Sequence, residues 1–236
     1  MAVPVSALIT RIQDQLMDDT GVRWTEEELI RYVSDGQREI TNFKPDAIST
    51  IANVGVPADS SSHGLVPGTK QTLPANALRL LSIVRNTYSG ATRSIRAVSR
   101  ETLDRFVPDW HSTAAGKTNQ EVKHYTYDPD SPTTFYIYPP QPSPVTGQIE
   151  VIYTKTPDDI SDSTSNIEVD DSYANALIDY ALYRALSKDA DNQGAAQRAQ
   201  NHYGAFMGSL NNKGQADGIS SPQVQPFTQA SAVKNN

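Results

Sequence analysis

Residues 24–43 read WTEEELIRYVSDGQREITNF, and they carry the start, the buried face and the stop of one helix. Thr25 is suited to the N-cap, because its hydroxyl can accept from the unpaired backbone N–H groups of the first turn. Glu28, three residues on, can reach back to the Thr25 N–H and complete a capping box, with Trp24 and Leu29 stapled across it. Glu26, Glu27 and Glu28 lie at the positive end of the helix dipole. Leu29, Val33, Ile40 and Phe43 form the apolar stripe. Pro45 restricts the residue before it and stops the helix near Phe43.

Working outward, Val5, Leu8, Ile9, Ile12 and Leu16 recur at three- and four-residue steps, predicting a first helix over Val5–Met17 that Gly21 ends. A second helical pair is expected near the other end of the chain. Asp170 or Asp171 caps its first member, in which Tyr173, Leu177, Tyr180, Ala181 and Arg184 share a face. Asp189, Asp191 and Asn192 break the run. The next helix carries Ala195, Ala199, Tyr203, Phe206 and Leu210 and is expected to end near Leu210. The matched stripes predict a bundle built from residues 1–45 and 158–210, with Trp24, Leu29, Val33, Tyr173, Leu177, Tyr180 and Phe206 in its core.

Between the two pairs, residues 46–157 hold most of the 15 prolines and read as strands. Strands are expected at Ile48–Val56, Leu78–Tyr88 and Gln148–Lys155, the last alternating polar and apolar residues. Val122–Tyr127 and Thr133–Tyr138 flank Asp128-Pro129-Asp130-Ser131-Pro132 and predict a hairpin. Residues 57–68 form a loop by composition, Ser89-Gly90 a turn, and Val98–Phe106 a short helix capped by Ser99. The whole is α+β, a helical bundle with an inserted antiparallel sheet or barrel. From Asn211 to Asn236 the sequence loses periodicity and is rich in Gln, Ser and Asn, so this segment is expected to be an extended arm.

The 236 residues carry a net charge of −7. Nucleic-acid affinity comes largely from Lys and Arg neutralising phosphates, so this balance counts against a DNA-gripping protein. Arg93, Arg96, Arg100 and Arg105 cluster, but Glu101 and Asp104 interleave with them and predict a solvated mixed-charge surface. The aromatic residues Tyr125, Tyr127, Phe135, Tyr136 and Tyr138 on the hairpin arms are read as cross-strand packing. The absence of cysteine removes disulfides and thiolate chemistry and suits a reducing cytoplasm. No run of about 18 apolar residues predicts a membrane span, and the N-terminus does not read as a signal peptide. His63, His111, His124 and His202 show no metal-ligand spacing, and no phosphate loop or nucleophile elbow occurs. The carboxylates of Asp158, Asp159, Asp162, Asp170 and Asp171 lack the pattern of a calcium loop and are read as caps. No catalytic, cofactor-binding or metal-binding residue is expected, and no cofactor.

Several segments, taken in order, resemble the head-to-tail adaptor family of short-tailed bacteriophages, the connector or tail tubular protein A-like proteins. They are residues 24–32 (WTEEELIRY), 35–40 (DGQREI), Leu73-Pro74, 78–81 (LRLL), 84–86 (VRN) and Pro108-Asp109-Trp110. Residues 135–140 (FYIYPP), 149–153 (IEVIY), 176–185 (ALIDYALYRA) and 203–206 (YGAF) complete the set. The resemblance implies a structural virion protein, assembled in the host cytoplasm, and not an enzyme. It implies a ring, commonly of twelve identical subunits, between the portal protein and the tail nozzle, with genomic DNA passing through at ejection without specific binding. It also implies that the arm docks on the portal, where Ile219, Pro222, Val224, Pro226 and Phe227 are the expected contacts. Three other readings remain: a neck or stopper protein of a long-tailed phage, a carbohydrate-binding or hydrolase module built on the β-rich middle, and a nucleic-acid-binding protein.

Overall fold

The computed structural model describes residues 3–55, 65–90, 92–144, 146–188 and 193–220. The chain is α+β and divides into two units, one comprising residues through Lys44 together with those from Asp159, the other Pro45–Asp158.

The helical unit contains α1 (Val5–Leu16), α2 (Glu26–Phe43), α4 (Ala174–Ser187) and α5 (Gln193–Ser220). Val5, Leu8, Ile9 and Ile12 of α1 are buried. Its end is set by Met17 in the left-handed conformation, φ 55°, and not by Gly21. Asp18 then accepts from the N–H groups of Val22, Arg23 and Trp24 and fixes the turn into α2. At the α2 N-cap, the Thr25 hydroxyl accepts from Glu28 N–H. The predicted return bond is replaced: the Glu28 carboxylate accepts instead from the Tyr32 hydroxyl at 2.6 Å and from Lys188 at 2.8 Å. Leu29, Val33 and Ile40 are buried, whereas Phe43 is 47% exposed. It lies in the last turn, where the helix is already leaving the bundle for Pro45. The segment before α4 is pinned by Asp162, which accepts from Thr164 N–H and Ser165 N–H, and by Asp170, which caps the 3-10 turn Asp171–Tyr173.

Gly36 lets α2 and α4 approach closely. A Cβ there would stand 3.0 Å from both Leu177 Cδ2 and Tyr180 Cδ1. The next residue, the fully buried Gln37, accepts from Glu168 N–H and Val169 N–H. A glutamine side chain thus supplies the acceptor that an irregular segment lacks.

The second unit holds two sheets. β1 (Ser49–Gly55), β7 (Gln148–Lys155) and β3 (Ala77–Asn86) form one, in the order β1-β7-β3, all antiparallel. The other is β2-β6-β5-β4, from β2 (Gly68–Thr72), β6 (Thr134–Gln141), β5 (His124–Tyr127) and β4 (Arg96–Ala97). The β5–β6 hairpin forms as expected, but β4 pairs with β5 in parallel, so the insert is mixed and not wholly antiparallel. β2 lies at the end of a stretch expected to be loop; its residues, GTKQT, have no run of large apolar side chains to announce a strand. The core contains Val54, Leu80, Ile83, Phe135, Ile137, Ile149 and Val151. Buried amides fasten its loops. Asn86 exchanges two hydrogen bonds of 2.8 Å with the backbone of Val122, and Gln141 joins Gly147 N–H to Asn119 C=O. α3 (Arg100–Phe106) is capped by Ser99, and Trp110 behind it is buried, its indole donating to Asp104.

The C-terminal segment departs most from expectation. α5 does not stop at Leu210 but continues through Ser220, so residues 211–220 are helical and not an extended arm. A nucleated helix propagates at little cost per residue even where its sequence lacks an apolar stripe. Lys213 adds an anchor, 3.8 Å from the Asp170 carboxylate and 4.8 Å from the Tyr173 ring centre.

Candidate functional site

The seven residues expected in the helical core are all buried: Trp24, Leu29, Val33, Tyr173, Leu177, Tyr180 and Phe206. Trp24 donates its indole N–H to Ala185 C=O at 3.1 Å, and Tyr180 and Phe206 meet ring to ring at 5.2 Å. Of the expected arm contacts, Ile219 lies in the last turn of α5. Pro222, Val224, Pro226 and Phe227 fall outside the described residues, as does His63.

The described histidines each meet a neighbouring side chain. His111 meets the Thr69 hydroxyl at 2.8 Å, and His202 meets Asp179 at 2.9 Å. His124 stacks on Tyr138, and burial, with Arg96, Arg93 and Lys123 nearby, holds its pKa below the ordinary histidine value. Asp162 and Asp170 are held below the usual carboxylate range by hydrogen bonds from Thr164 and Ser172 respectively. Asp159 pairs with Arg38, and Asp158 with Lys155 at 3.6 Å. The acidic stretch is therefore a row of separate caps and ion pairs, and no group of three metal-ligating side chains occurs among the described residues. The arginine cluster is solvated as expected, with Arg93 paired to Glu121 and Arg100 to Asp104.

What remains is surface suited to contact. Between α4 and α5 runs a groove of about 400 Å³ lined by Tyr183, Ser187, Ala196, Ala199, Gln200 and Tyr203. The rings of Tyr183 and Tyr203 stand 4.9 Å apart along it. In the other unit, a cleft of about 300 Å³ lies among Trp110, Lys117, Asn119, Lys123 and Tyr138. Lys117 there is paired to Asp109. Asp109 and Ser112 also line this cleft, and Ser112 Oγ accepts from Ala114 N–H. Both cavities are shapes that can receive another chain.

Residues 3–226 match the family of the SU10 adaptor protein. The chain belongs to the SU10 adaptor family. No curated protein matches it. The match spans both units, so it covers the adaptor as a whole and not one module of it. Phage adaptors are structural components of the virion. Among the described residues, no helix of the adaptor is long and apolar enough to cross a membrane. The α4–α5 groove was not singled out from the sequence. The available signal was the lack of charge along α5, where residues 199–212 contain no Asp, Glu, Lys or Arg.

Proposed function

We propose that this adaptor forms a ring between the portal protein and the tail nozzle of a short-tailed phage, and that it performs no catalysis. Genomic DNA passes through the ring at ejection without being specifically bound. The observation that carries this reading is the family match over residues 3–226, supported by the order of the resembling segments along the chain. A twelve-fold ring of chains at −7 carries 12 × −7 = −84 charges. Any part of that charge facing a channel repels DNA and keeps it moving. Assembly takes place in the host cytoplasm, where a chain without cysteine needs no oxidising step. The segment after α5, with Pro222, Val224, Pro226 and Phe227, docks on the portal together with Ile219. Its prolines favour an extended backbone suited to strand addition or groove binding.

The test is the native mass of the full chain, alone and mixed with its portal. Twelve copies of the 25.8-kDa chain added per portal ring, about 310 kDa, is the expected result. Deleting residues 221–236 is expected to leave a folded chain that no longer binds. A chain that stays monomeric and ignores the portal at micromolar concentration overturns the proposal.

A further inference from the structure

We propose that the α4–α5 groove and the uncharged face of α5 beside it are the surface on which a second copy of this chain packs, an inference that rests on the ring reading above. The groove is mostly apolar, with Ser187 and Gln200 its polar lining residues, and its Tyr203 is a large ring that is 38% exposed. Beside it, Ala196, Gln200, Gly204 and Gly208 follow one another at four-residue steps, so they form one row on the helix. At Gly204 and Gly208 an added Cβ would meet nothing within 4 Å. Each glycine costs a helix interior about 1 kcal/mol relative to alanine. Among the described residues nothing approaches either position, so the fold they form gives no return for that cost. A neighbour that packs its own ridge of side chains into this row does, because interhelical distance depends on the residues at the contact.

Charge selects the occupant. Two chains of −7 repel, and the repulsion is least where neither presents ions. Exposed helix faces normally carry charge, as α2 does with Glu26, Glu27 and Arg31. After the exposed Arg198, α5 instead exposes Gln200, Asn201, Tyr203, Gly204, Ala205, Ser209, Asn211 and Asn212. A charged partner would find no counter-ion there, whereas an identical chain meets a neutral strip. The strip from residue 199 to 212 is roughly 20 Å long and 10 Å wide, about 200 Å². Stable pairs bury about 800 Å² per partner, so this contact does not hold an isolated dimer. It closes when the portal gathers the copies and raises their effective concentration.

The experiment compares full-length wild type with the double variant Gly204→Leu, Gly208→Leu on the portal, read by native mass. A photo-crosslinking amino acid in place of Gln200 identifies the neighbour. The expected result is a double variant that melts no lower than wild type, yet fills the portal at least tenfold less, and a crosslinked product of twice the chain mass. The milder Gly204→Ala covers the case in which the leucines disturb folding; it is expected to raise the melting temperature and still weaken filling. Equal filling by well-folded variants, or crosslinks only to the portal or within one chain, overturns the inference while leaving the ring standing. Failure of wild type to assemble at all removes the ring reading, and this inference with it.

Discussion

α2 and α5 belong to the same unit and are built by opposite rules. α2 is closed at both ends, by Thr25 and by Pro45. Its inner face is apolar, and its outer face carries Glu26, Glu27 and Arg31. Its glycine, Gly36, is required from inside, where Leu177 and Tyr180 press on it. α5 has few charges and weak amphipathic character, and its Gly204 and Gly208 meet nothing among the described residues. The difference separates two demands on one molecule. A helix that serves only its own fold is legible from its own neighbours. A helix that serves an assembly carries features whose reasons lie in another molecule.

The sharpest way to break the comparison is at the start of α2. Trp24→Ala removes a buried ring and its bond to Ala185 C=O, and is expected to cost about 3–5 kcal/mol in urea unfolding. A loss under about 1 kcal/mol would mean that α2 is not the organising helix. Gln37→Leu is expected to rank next. It leaves Glu168 N–H and Val169 N–H buried without an acceptor, at about 2 kcal/mol, even though the Gln37 amide nitrogen itself finds no partner. Hydrogen exchange at those two amides reports the loss directly, and unchanged protection would show that water replaces the side chain.

The two kinds of glycine give a pair of predictions with opposite signs. Gly36→Ala gains helix propensity but forces a methyl against Leu177 and Tyr180, and the crowding is expected to win by about 1 kcal/mol. Gly204→Ala meets open space and is expected to stabilise the free chain by about 1 kcal/mol. Thermal melts of both variants settle the comparison. If both move the same way, the packing distinction between the helices is wrong.

The same contrast explains what could be read from the chain. Thr25, Pro45 and the stripe of Leu29, Val33 and Ile40 act locally, through caps and periodicity, and they place α2 to the residue. β7 was equally legible because Ile149, Val151 and Tyr153 alternate into a core. β2 and β4 were not, because their pairing is supplied by β6 and β5 and not by any pattern of their own. The extent of α5 was missed for a related reason: past Leu210 the helix is continued by propagation and the Lys213 anchor, and neither leaves a hydrophobic signature. The exposure of Phe43 could not be read either, since a stripe does not show where a helix leaves its bundle. The family resemblance drew on the legible parts. The α4–α5 groove, the best candidate for assembly, drew on the rest.

The smallest expected effect lies at the contact that replaced the capping box, and it has two signs. The Glu28 carboxylate is held below its ordinary pKa of 4.5 by Lys188 first and Tyr32 second. A depressed carboxylate contributes stability that is present above 4.5 and is lost as the pH falls through the lower folded value. Tyr32 shares that contact, and burial first, then Glu28, pushes its phenol up to about 12 from 10.0. A raised phenol contributes stability that is full below pH 10 and is lost as the pH rises towards 12, because the folded state then holds a proton that the unfolded state has released. One hydrogen bond of 2.6 Å therefore bounds a plateau on both sides. Tyr32→Phe is expected to reduce the alkaline side, where the raised phenol of Tyr180 still contributes, and to reduce, without abolishing, the acid side, since Lys188 still holds Glu28. Glu28→Gln is expected to reduce the acid side, where Asp162 and Asp170 still contribute, and to shrink the alkaline one, leaving the part that burial alone supplies. Stability measured by denaturant midpoint from pH 3 to 11 separates the two. If Tyr32→Phe leaves the alkaline limb unchanged, the phenol does not titrate with folding, and the contact joining α2 to Lys188 at the end of α4 is an ordinary surface pair.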